Sequence, residues 1–178
     1  MNFSILDKSN KDEITNLFCS VFCSSEGEEE GELIGTLAAK LAERINNQEI
    51  ICIGAVEEQL LVAVIFFTRL KFTEPVQAYM LAPVAVSTAH QNKGIGQALI
   101  QFGLKELKNR SVTLAVTYGD PAFYSKVGFE ALSLNVIQAP CQPSMPEGWL
   151  GQSLSTETIP TLASRPTCVH EFNDPVYW

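Results

Sequence analysis

The sequence predicts an α/β fold, and two kinds of pattern carry that prediction. Apolar runs of strand length alternate with segments whose apolar residues recur every three or four positions, as they do in amphipathic helices. The longest apolar run, Leu60–Phe67, is continuous rather than alternating, which predicts a strand buried on both faces. With 46% hydrophobic residues, the chain has enough apolar material for one sizeable core. We therefore predict a single domain over residues 1–178, with its core at about 1–135 and a C-terminal extension at 136–178.

The first third of the chain predicts a strand, two helices and a hairpin. The stretch "NFSILD" favours a first strand, after which Ser9 or Asn10 can cap a helix. The stretch "EGEEEGELIGTLAAKLAERI" begins with acidic residues, which favour a helix N-terminus, and continues with leucines four apart. Two β-rich runs then flank Glu57–Gln59, which indicates a hairpin.

The remaining elements continue the alternation. Strands are predicted at about 77–86 and 112–118, with an amphipathic helix between them. Asp120 as N-cap and Pro121 in the first turn predict a short helix, which Gly128 can end. After about residue 140 the sequence is rich in Pro, Ser and Thr, with "GWLGQSL" and "TCVHEF" as candidate late strands.

Charge and composition exclude several classes of function. The formal charge is -8, which disfavours nucleic acid and favours cationic ligands. The five cysteines contain no C-x-x-C pair, so neither a zinc site nor a disulfide framework is predicted. No apolar run approaches the length of a membrane span, and the N-terminus lacks signal-peptide features. We expect a soluble cytoplasmic protein with no metal and no membrane partner.

A glycine-containing turn precedes the helix that follows the strand at 77–86. Unpaired N–H groups at a helix N-terminus form an anion site, and glycines let a phosphate approach closely. The turn "HQNKGIGQALI" does not match the phosphate loop of NTPases, because Lys93 precedes Gly94. It does not match the dinucleotide fingerprint either, because Leu99 stands where the third glycine is required. An ordinary loop is the alternative at this point.

Pro83 lies inside the strand that precedes this turn. Proline cannot donate to a strand ladder, so it indicates an edge, a bulge or a place where strands part. The polar backbone groups of Val84, Ala85 and Val86 then need a partner, and an extended ligand with amide groups can supply one. A ligand with amides at one end and phosphates at the other fits both features.

The stretch "LAPVAVSTAHQNKGIGQALI" resembles the acyl-CoA-binding motif of the GNAT superfamily of N-acyltransferases, [QR]-x-x-G-x-[GA], with Gln91, Gly94 and Gly96 at the motif positions. A second family motif, Y-x-x-x-G-F, is matched by Tyr124, Gly128 and Phe129. The resemblance covers roughly residues 76–132. It departs at Thr117, seven residues before the tyrosine, where many members carry asparagine.

The resemblance implies a GNAT fold: a mixed, mostly antiparallel sheet with helices on both faces, splayed between two central strands. It also implies acetyl-CoA as co-substrate, with the pantetheine arm along Val84–Val86 and the pyrophosphate on the turn. The implied cofactor-binding residues are Val84, Ala85, Val86, Gln91, Asn92, Lys93, Gly94, Ile95, Gly96 and Gln97. For Lys93, a solvated surface position is the alternative.

The implied reaction is transfer of an acetyl group to a primary amine by direct attack in a ternary complex. The backbone N–H of Val84 would stabilise the oxyanion, because Pro83 has no N–H to give. Tyr124 matches the family's general acid, with a core tyrosine as the alternative. A non-catalytic acyl-CoA sensor or assembly module of the same fold, and a structural domain without CoA, remain alternatives.

The general base and the acceptor are not specified by the sequence. His90 and His170 have suitable chemistry, but no pattern places either histidine near an acceptor. An acidic segment at 26–32 would attract a cationic amine, although a solvated helix start explains most of its charge. The aromatic C-terminal residues can cover the acceptor cleft, pack on the core or join a second subunit, which leaves a homodimer open.

Overall fold

The computed structural model describes all 178 residues and confirms the α/β class. The strands are β1 (Asn2–Leu6), β2 (Ile50–Glu57), β3 (Leu60–Leu70), β4 (Ala78–Val86), β5 (Leu114–Tyr118), β6 (Glu130–Ala131) and β7 (Trp149–Ser153). The α-helices are α1 (Lys11–Glu26), α2 (Glu28–Glu43), α3 (Ile95–Asn109) and α4 (Pro121–Tyr124). Each of the elements predicted from residues 1–135 is present.

The strands form a mixed seven-stranded sheet in the order β1-β2-β3-β4-β5-β7-β6. Pairing is antiparallel for β1 with β2, β5 with β7 and β6 with β7, whereas β4 and β5 are parallel. The register of β4 with β5 runs from Ala78 opposite Leu114 to Leu81 opposite Thr117. Since β4 continues to Val86, its last five residues extend beyond this register, as the predicted splay requires.

The chain divides into two compact units. The first comprises residues 1–67 and 83–103, and the second comprises residues 68–82 and 104–178. Each unit is described separately below. No helix is both long and apolar enough to cross a membrane, and no cluster of three or more His, Cys, Asp or Glu side chains could hold a metal ion.

In the first unit, α1 and α2 pack with a close backbone approach. The helices meet at two glycines of α2, Gly31 and Gly35, which face Cys23 and Cys19 of α1. The apolar side of α1, including the fully buried Phe18, packs against Phe66 of β3. The hairpin between β2 and β3 turns through Glu58 and Gln59, both at positive φ, as a two-residue hairpin turn requires.

In the second unit, β5 lies between two strands: β4 pairs with it in parallel, and β7 pairs with it antiparallel along its whole length. Trp149 of β7 is fully buried, and its indole N–H donates to the carbonyl of Ile137. The prediction of a late strand in "GWLGQSL" is therefore confirmed, and the C-terminal extension supplies an interior strand of the sheet.

The prediction of a strand in "TCVHEF" is wrong. Thr167 makes an isolated bridge to Lys71, and the chain then enters a 3-10 turn at His170–Phe172. A single bridge leaves the following residues without a strand partner, so the aromatic residues pack instead of joining the sheet. Trp178 stacks on Tyr118 with ring centroids 6.1 Å apart, and its indole N–H donates to the carbonyl of Phe172.

Candidate functional site

The end of β4 in the first unit is the predicted binding strand. Pro83 and Val84 are half-buried, whereas Ala85 is buried. Proline has no N–H, so Val84 carries the first backbone donor of this part of the strand. The backbone is extended and partly exposed, which suits a strand that hydrogen bonds to an extended ligand.

Side chains brace the turn that follows β4. The amide of Gln91 donates to the Val86 carbonyl at 3.0 Å, which ties the turn to the end of the strand. The Ser87 N–H donates to the Val62 carbonyl at 2.8 Å, which ties the same turn to β3. The backbone N–H of Gln91 donates to the Thr88 carbonyl at 3.5 Å, so both its side chain and its backbone hold the turn in place.

A second brace on this turn comes from β2. The Nε2 of His90 lies 3.2 Å from the carboxylate of Glu57, and its Nδ1 lies 3.4 Å from the Ser87 hydroxyl. The sequence does not reveal this pair, because 33 positions separate the two residues and no periodicity links them. Both ring nitrogens of His90 have partners, so this histidine has a bracing role.

The turn leads into the N-terminus of α3. The N–H of Ala98 donates to the Gly94 carbonyl at 3.0 Å, so the N–H groups of Ile95, Gly96 and Gln97 precede the first helical bond. These three donors lie at the positive end of the helix dipole. Helix N-termini with such a set of N–H groups are suited to binding anions.

Two residues of the turn adopt the left-handed conformation. Asn92 has φ +60° and Gly94 has φ +77°, a region that glycine and asparagine tolerate best. A Cβ added at Gly94 would meet no protein atom within 4 Å, so the space beside this glycine is open. The turn therefore leaves room beside Gly94, and Lys93 between the two residues is exposed.

Tyr124 belongs to the second unit, where aromatic rings surround it. Phe123 and Phe129 contact its ring edge to face, with centroids 5.1 and 5.8 Å away. Burial, the largest cause, raises the pKa of Tyr124 above its ordinary value of 10, the Thr117 side chain lowers it, and the charge of Asp120 raises it. The net direction is upward, so the phenol keeps its proton at neutral pH.

Glycines position the short helix that carries Tyr124. A Cβ at Gly119 would lie 2.8 Å from the Tyr124 ring, so only glycine lets the ring occupy this place. Asp120 caps α4 by accepting from the Ala122 N–H at 2.8 Å, and Gly128 ends the following turn with φ +94°. The predicted N-cap and terminating glycine are both confirmed.

Thr117 is the residue whose importance the sequence did not show. Its side chain is fully buried, and its hydroxyl donates to the Leu81 carbonyl at 2.7 Å. Leu81 and Thr117 are also the last residues of the parallel register between β4 and β5. In the sequence, Thr117 is marked only by its departure from the family pattern, seven residues before Tyr124.

The ten predicted cofactor-binding residues lie together in the first unit, on β4, the braced turn and the start of α3. Tyr124 lies in the second unit. Neither histidine lies at a place that assigns it as a base. His90 is paired with Glu57, and His170 starts a 3-10 turn near the C-terminus.

Residues 27–131 match the family model described as an acetyltransferase (GNAT) domain. Over 57 residues the chain is 39% identical to YhbS, an uncharacterised N-acetyltransferase of Escherichia coli K12. That stretch is 32% of this chain and 34% of YhbS, so the chain spans about a third of the length of the curated relatives it matches.

Solved structures resemble the fold over nearly the whole chain. The crystal structure of YhbS from Escherichia coli in complex with CoA superposes with a TM-score of 0.80 at 20% identity, covering 97% of this chain and 92% of that one. A GNAT acetyltransferase from Brucella melitensis in complex with acetyl-CoA gives 0.70 at 21% identity, covering 96% and 97%. The aminoglycoside 6'-N-acetyltransferase from Enterococcus faecium gives 0.62 at 19% identity, covering 89% and 99%.

Proposed function

Because the chain belongs to the GNAT family of acetyltransferases, we propose that it transfers an acetyl group from acetyl-CoA to a primary amine by direct attack in a ternary complex. The single observation that carries this proposal is the braced turn between β4 and α3. There, the N–H groups of Ile95, Gly96 and Gln97 precede the first hydrogen bond of α3, and a Cβ added at Gly94 would meet open space. Family members whose fold this chain shares have been crystallised with CoA or acetyl-CoA.

The residues at this turn suit the two ends of acetyl-CoA differently. The backbone donors of Ile95, Gly96 and Gln97 suit the pyrophosphate, because they concentrate N–H groups at the positive end of α3. The extended backbone of Val84–Val86 suits the pantetheine amides, because a strand edge supplies alternating donors and acceptors. Acetyl-CoA combines both chemistries in one molecule.

Two groups of the chain would act on the reacting atoms. The Val84 N–H would donate to the thioester oxygen as negative charge develops on it. The Tyr124 phenol would give its proton to the leaving thiolate, which requires the phenol to be neutral beforehand. The raised pKa of Tyr124, caused first by burial, keeps the phenol neutral at neutral pH.

We propose a cationic amine as the acceptor. The charge of -8 favours the approach of a cation. The fold neighbour from Enterococcus faecium is an aminoglycoside acetyltransferase, whose fold this chain shares. An acceptor that arrives as an ammonium would lose two protons from nitrogen and gain the acetyl group. One proton would go to solvent, and CoA would leave as the thiol with the equivalent of the other.

The experiment is a thiol-release assay with acetyl-CoA and a panel of cationic and neutral amines, run on the wild type and on Tyr124→Phe. The variant removes the phenol proton and keeps the ring packing against Phe123 and Phe129. It should lower kcat about 100-fold, the lower range for a general acid, while the acetyl-CoA affinity stays unchanged. Unchanged turnover in the variant would refute the role of Tyr124, and no thiol release with any amine would favour a non-catalytic acyl-CoA-binding protein.

A further inference from the structure

We propose that Cys19 and Cys23 of α1 form a dithiol site, and that its ligand is a monosubstituted trivalent arsenical, R–As(OH)₂, which bonds to both sulfurs. The Sγ atoms of the two residues lie 3.7 Å apart. Both residues belong to the first unit, and neither lies on β4 or on the turn that follows it. Binding of an arsenical at this site therefore does not depend on acetyl transfer.

Helical spacing and the neighbouring helix place the two thiols. Residues four apart lie on one face of a helix, so Cys19 and Cys23 follow each other by one turn of α1. This face meets α2, where Gly35 stands opposite Cys19 and Gly31 opposite Cys23. A Cβ at Gly31 would lie 2.1 Å from the Cys23 Sγ, so the glycine leaves room for this sulfur. Both cysteines are half-buried, which holds them in place and leaves them reachable from solvent.

The backbone opposes a direct disulfide between these two cysteines. Cβ atoms four residues apart on a helix are separated by about 5–6 Å. A disulfide requires a separation of about 3.5–4.5 Å between its Cβ atoms. Closing the difference would unwind α1 where it packs against α2. An atom that bridges the two sulfurs leaves the helix intact.

The sulfur separation sets the angle at a bridging atom. Two bonds of about 2.3 Å, the zinc–thiolate length, span 3.7 Å with an angle of about 107° between them. A linear two-coordinate ion such as Cu(I) would need the sulfurs about 4.6 Å apart with bonds of this length. Trivalent arsenic is pyramidal, and its bond angles are close to tetrahedral. The separation of the two thiols therefore matches arsenic and not a linear ion.

The number of available ligands also favours an arsenical. No group of three or more His, Cys, Asp or Glu side chains is placed to hold a metal ion. Structural zinc sites, by contrast, use four protein ligands. A monosubstituted arsenical needs only two sulfurs, because its third bond is already made to carbon. Two thiols therefore complete its coordination.

Proton chemistry around Cys23 favours a reaction of neutral thiols. Burial raises the pKa of the Cys23 thiol, and the hydrogen bond with Cys19 and the charges of Cys19, Glu28 and Glu32 raise it further. A metal thiolate forms only after the thiol loses its proton, so the raised pKa disfavours it. The arsenical instead exchanges As–O bonds for As–S bonds: R–As(OH)₂ and two thiols give R–As(S–Cys)₂ and two molecules of water. Each thiol proton leaves in water, and no atom is oxidised or reduced.

The test is titration of the reduced protein with phenylarsine oxide, which hydrates to the form R–As(OH)₂. Native mass spectrometry counts the bound reagent, and a thiol-specific chromophore counts the thiols that remain free. The pair is tested with Cys19→Ser and Cys23→Ser, and Cys141→Ser/Cys168→Ser is the control for thiols outside it. A second control, Cys23→Ser/Ser24→Cys, keeps five cysteines and moves one thiol to the next position of the helix. Circular dichroism verifies the fold of each variant, and alanine replaces serine where folding is impaired.

We expect the wild type to bind one equivalent of phenylarsine oxide with the loss of two free thiols. Cys19→Ser, Cys23→Ser and the shifted-thiol control should each bind at least about 100-fold more weakly, because a single As–S bond replaces a two-bond chelate. Cys141→Ser/Cys168→Ser should bind as the wild type does. Wild-type affinity in either single variant or in the shifted-thiol control, or lost binding in Cys141→Ser/Cys168→Ser, would overturn the site.

Discussion

Gly31→Ala should destabilise the protein strongly, because α1 and α2 touch at this glycine. A Cβ at Gly31 would lie 2.1 Å from the Cys23 Sγ, 2.6 Å from the Cys23 N and 2.8 Å from the Cys23 Cα. Two of these three atoms are backbone, so a rotamer change of Cys23 cannot relieve the clash. The helices themselves would have to move apart.

Gly35 is the matched control on the same face of α2. A Cβ there would lie 3.1 Å from the Cys19 Cβ and 3.4 Å from the Cys19 Cα, which requires a shift of only a few tenths of an ångström. Replacing glycine by alanine inside a helix gains about 1 kcal/mol from propensity. Overpacking costs about 1–3 kcal/mol of stability, and the backbone clash at Gly31 places the cost of Gly31→Ala at the upper end of this range.

The net expectation for Gly31→Ala is a loss of about 2 kcal/mol, whereas Gly35→Ala should change stability by less than about 0.5 kcal/mol. For a chain of this size, 2 kcal/mol corresponds to a fall in Tm of roughly 4–8 °C. Denaturant and thermal unfolding followed by circular dichroism measure both variants. If Gly31→Ala were as stable as the wild type, or if adding Cys23→Ala restored it fully, the backbone contact would be refuted as the cause.

Two further predictions concern Glu74 and Gly94. The Glu74 carboxylate accepts hydrogen bonds from the hydroxyls of Ser164 and Thr73 and from the N–H groups of Ala163 and Ser164. These bonds lower the pKa of Glu74 from 4.5 to about 2, and the bond from the Ser164 hydroxyl is the main cause. The pKa of Glu74 is lower in the folded protein than in the unfolded chain. The stability advantage of the wild type over Glu74→Gln should therefore be complete above pH 4.5 and decline toward pH 2 in equilibrium unfolding. An advantage that stays constant from pH 6 to 3 would contradict this. Gly94→Ala should weaken acetyl-CoA binding and cost about 1–2 kcal/mol of stability, because alanine disfavours φ +77°. The control Gly27→Ala, at φ +100° with equally open space, should cost stability and leave binding unchanged, and equal affinity in Gly94→Ala would refute the phosphate site.

Much of the fold followed from local sequence signals. The cap at Asp120, the ending at Gly128 and the turn at Glu58 and Gln59 depend on residues within a few positions of each other. The order of strands in the sheet depends on pairing over long distances. The insertion of β7 between β5 and β6 could not be inferred, since the extension carries no motif that reports its partner.

The candidate site likewise combines residues that the sequence identifies with residues that only the folded structure brings together. The turn at Gln91–Gln97 is a contiguous motif, so its residues could be identified one by one from the sequence. The brace between His90 and Glu57, and the bond of Thr117 with Leu81, join residues from different elements. Such contacts depend on register, and a single sequence does not specify register.

The most direct test of the central claim is a calorimetric titration of the purified protein with acetyl-CoA, with dephospho-CoA and desulfo-CoA titrated in parallel. We predict micromolar binding of acetyl-CoA at one site per chain, with desulfo-CoA retaining most of the affinity because we expect the turn to hold the pyrophosphate. Absence of heat at millimolar acetyl-CoA would contradict it, and the glycines of the turn would then serve only the backbone path into α3.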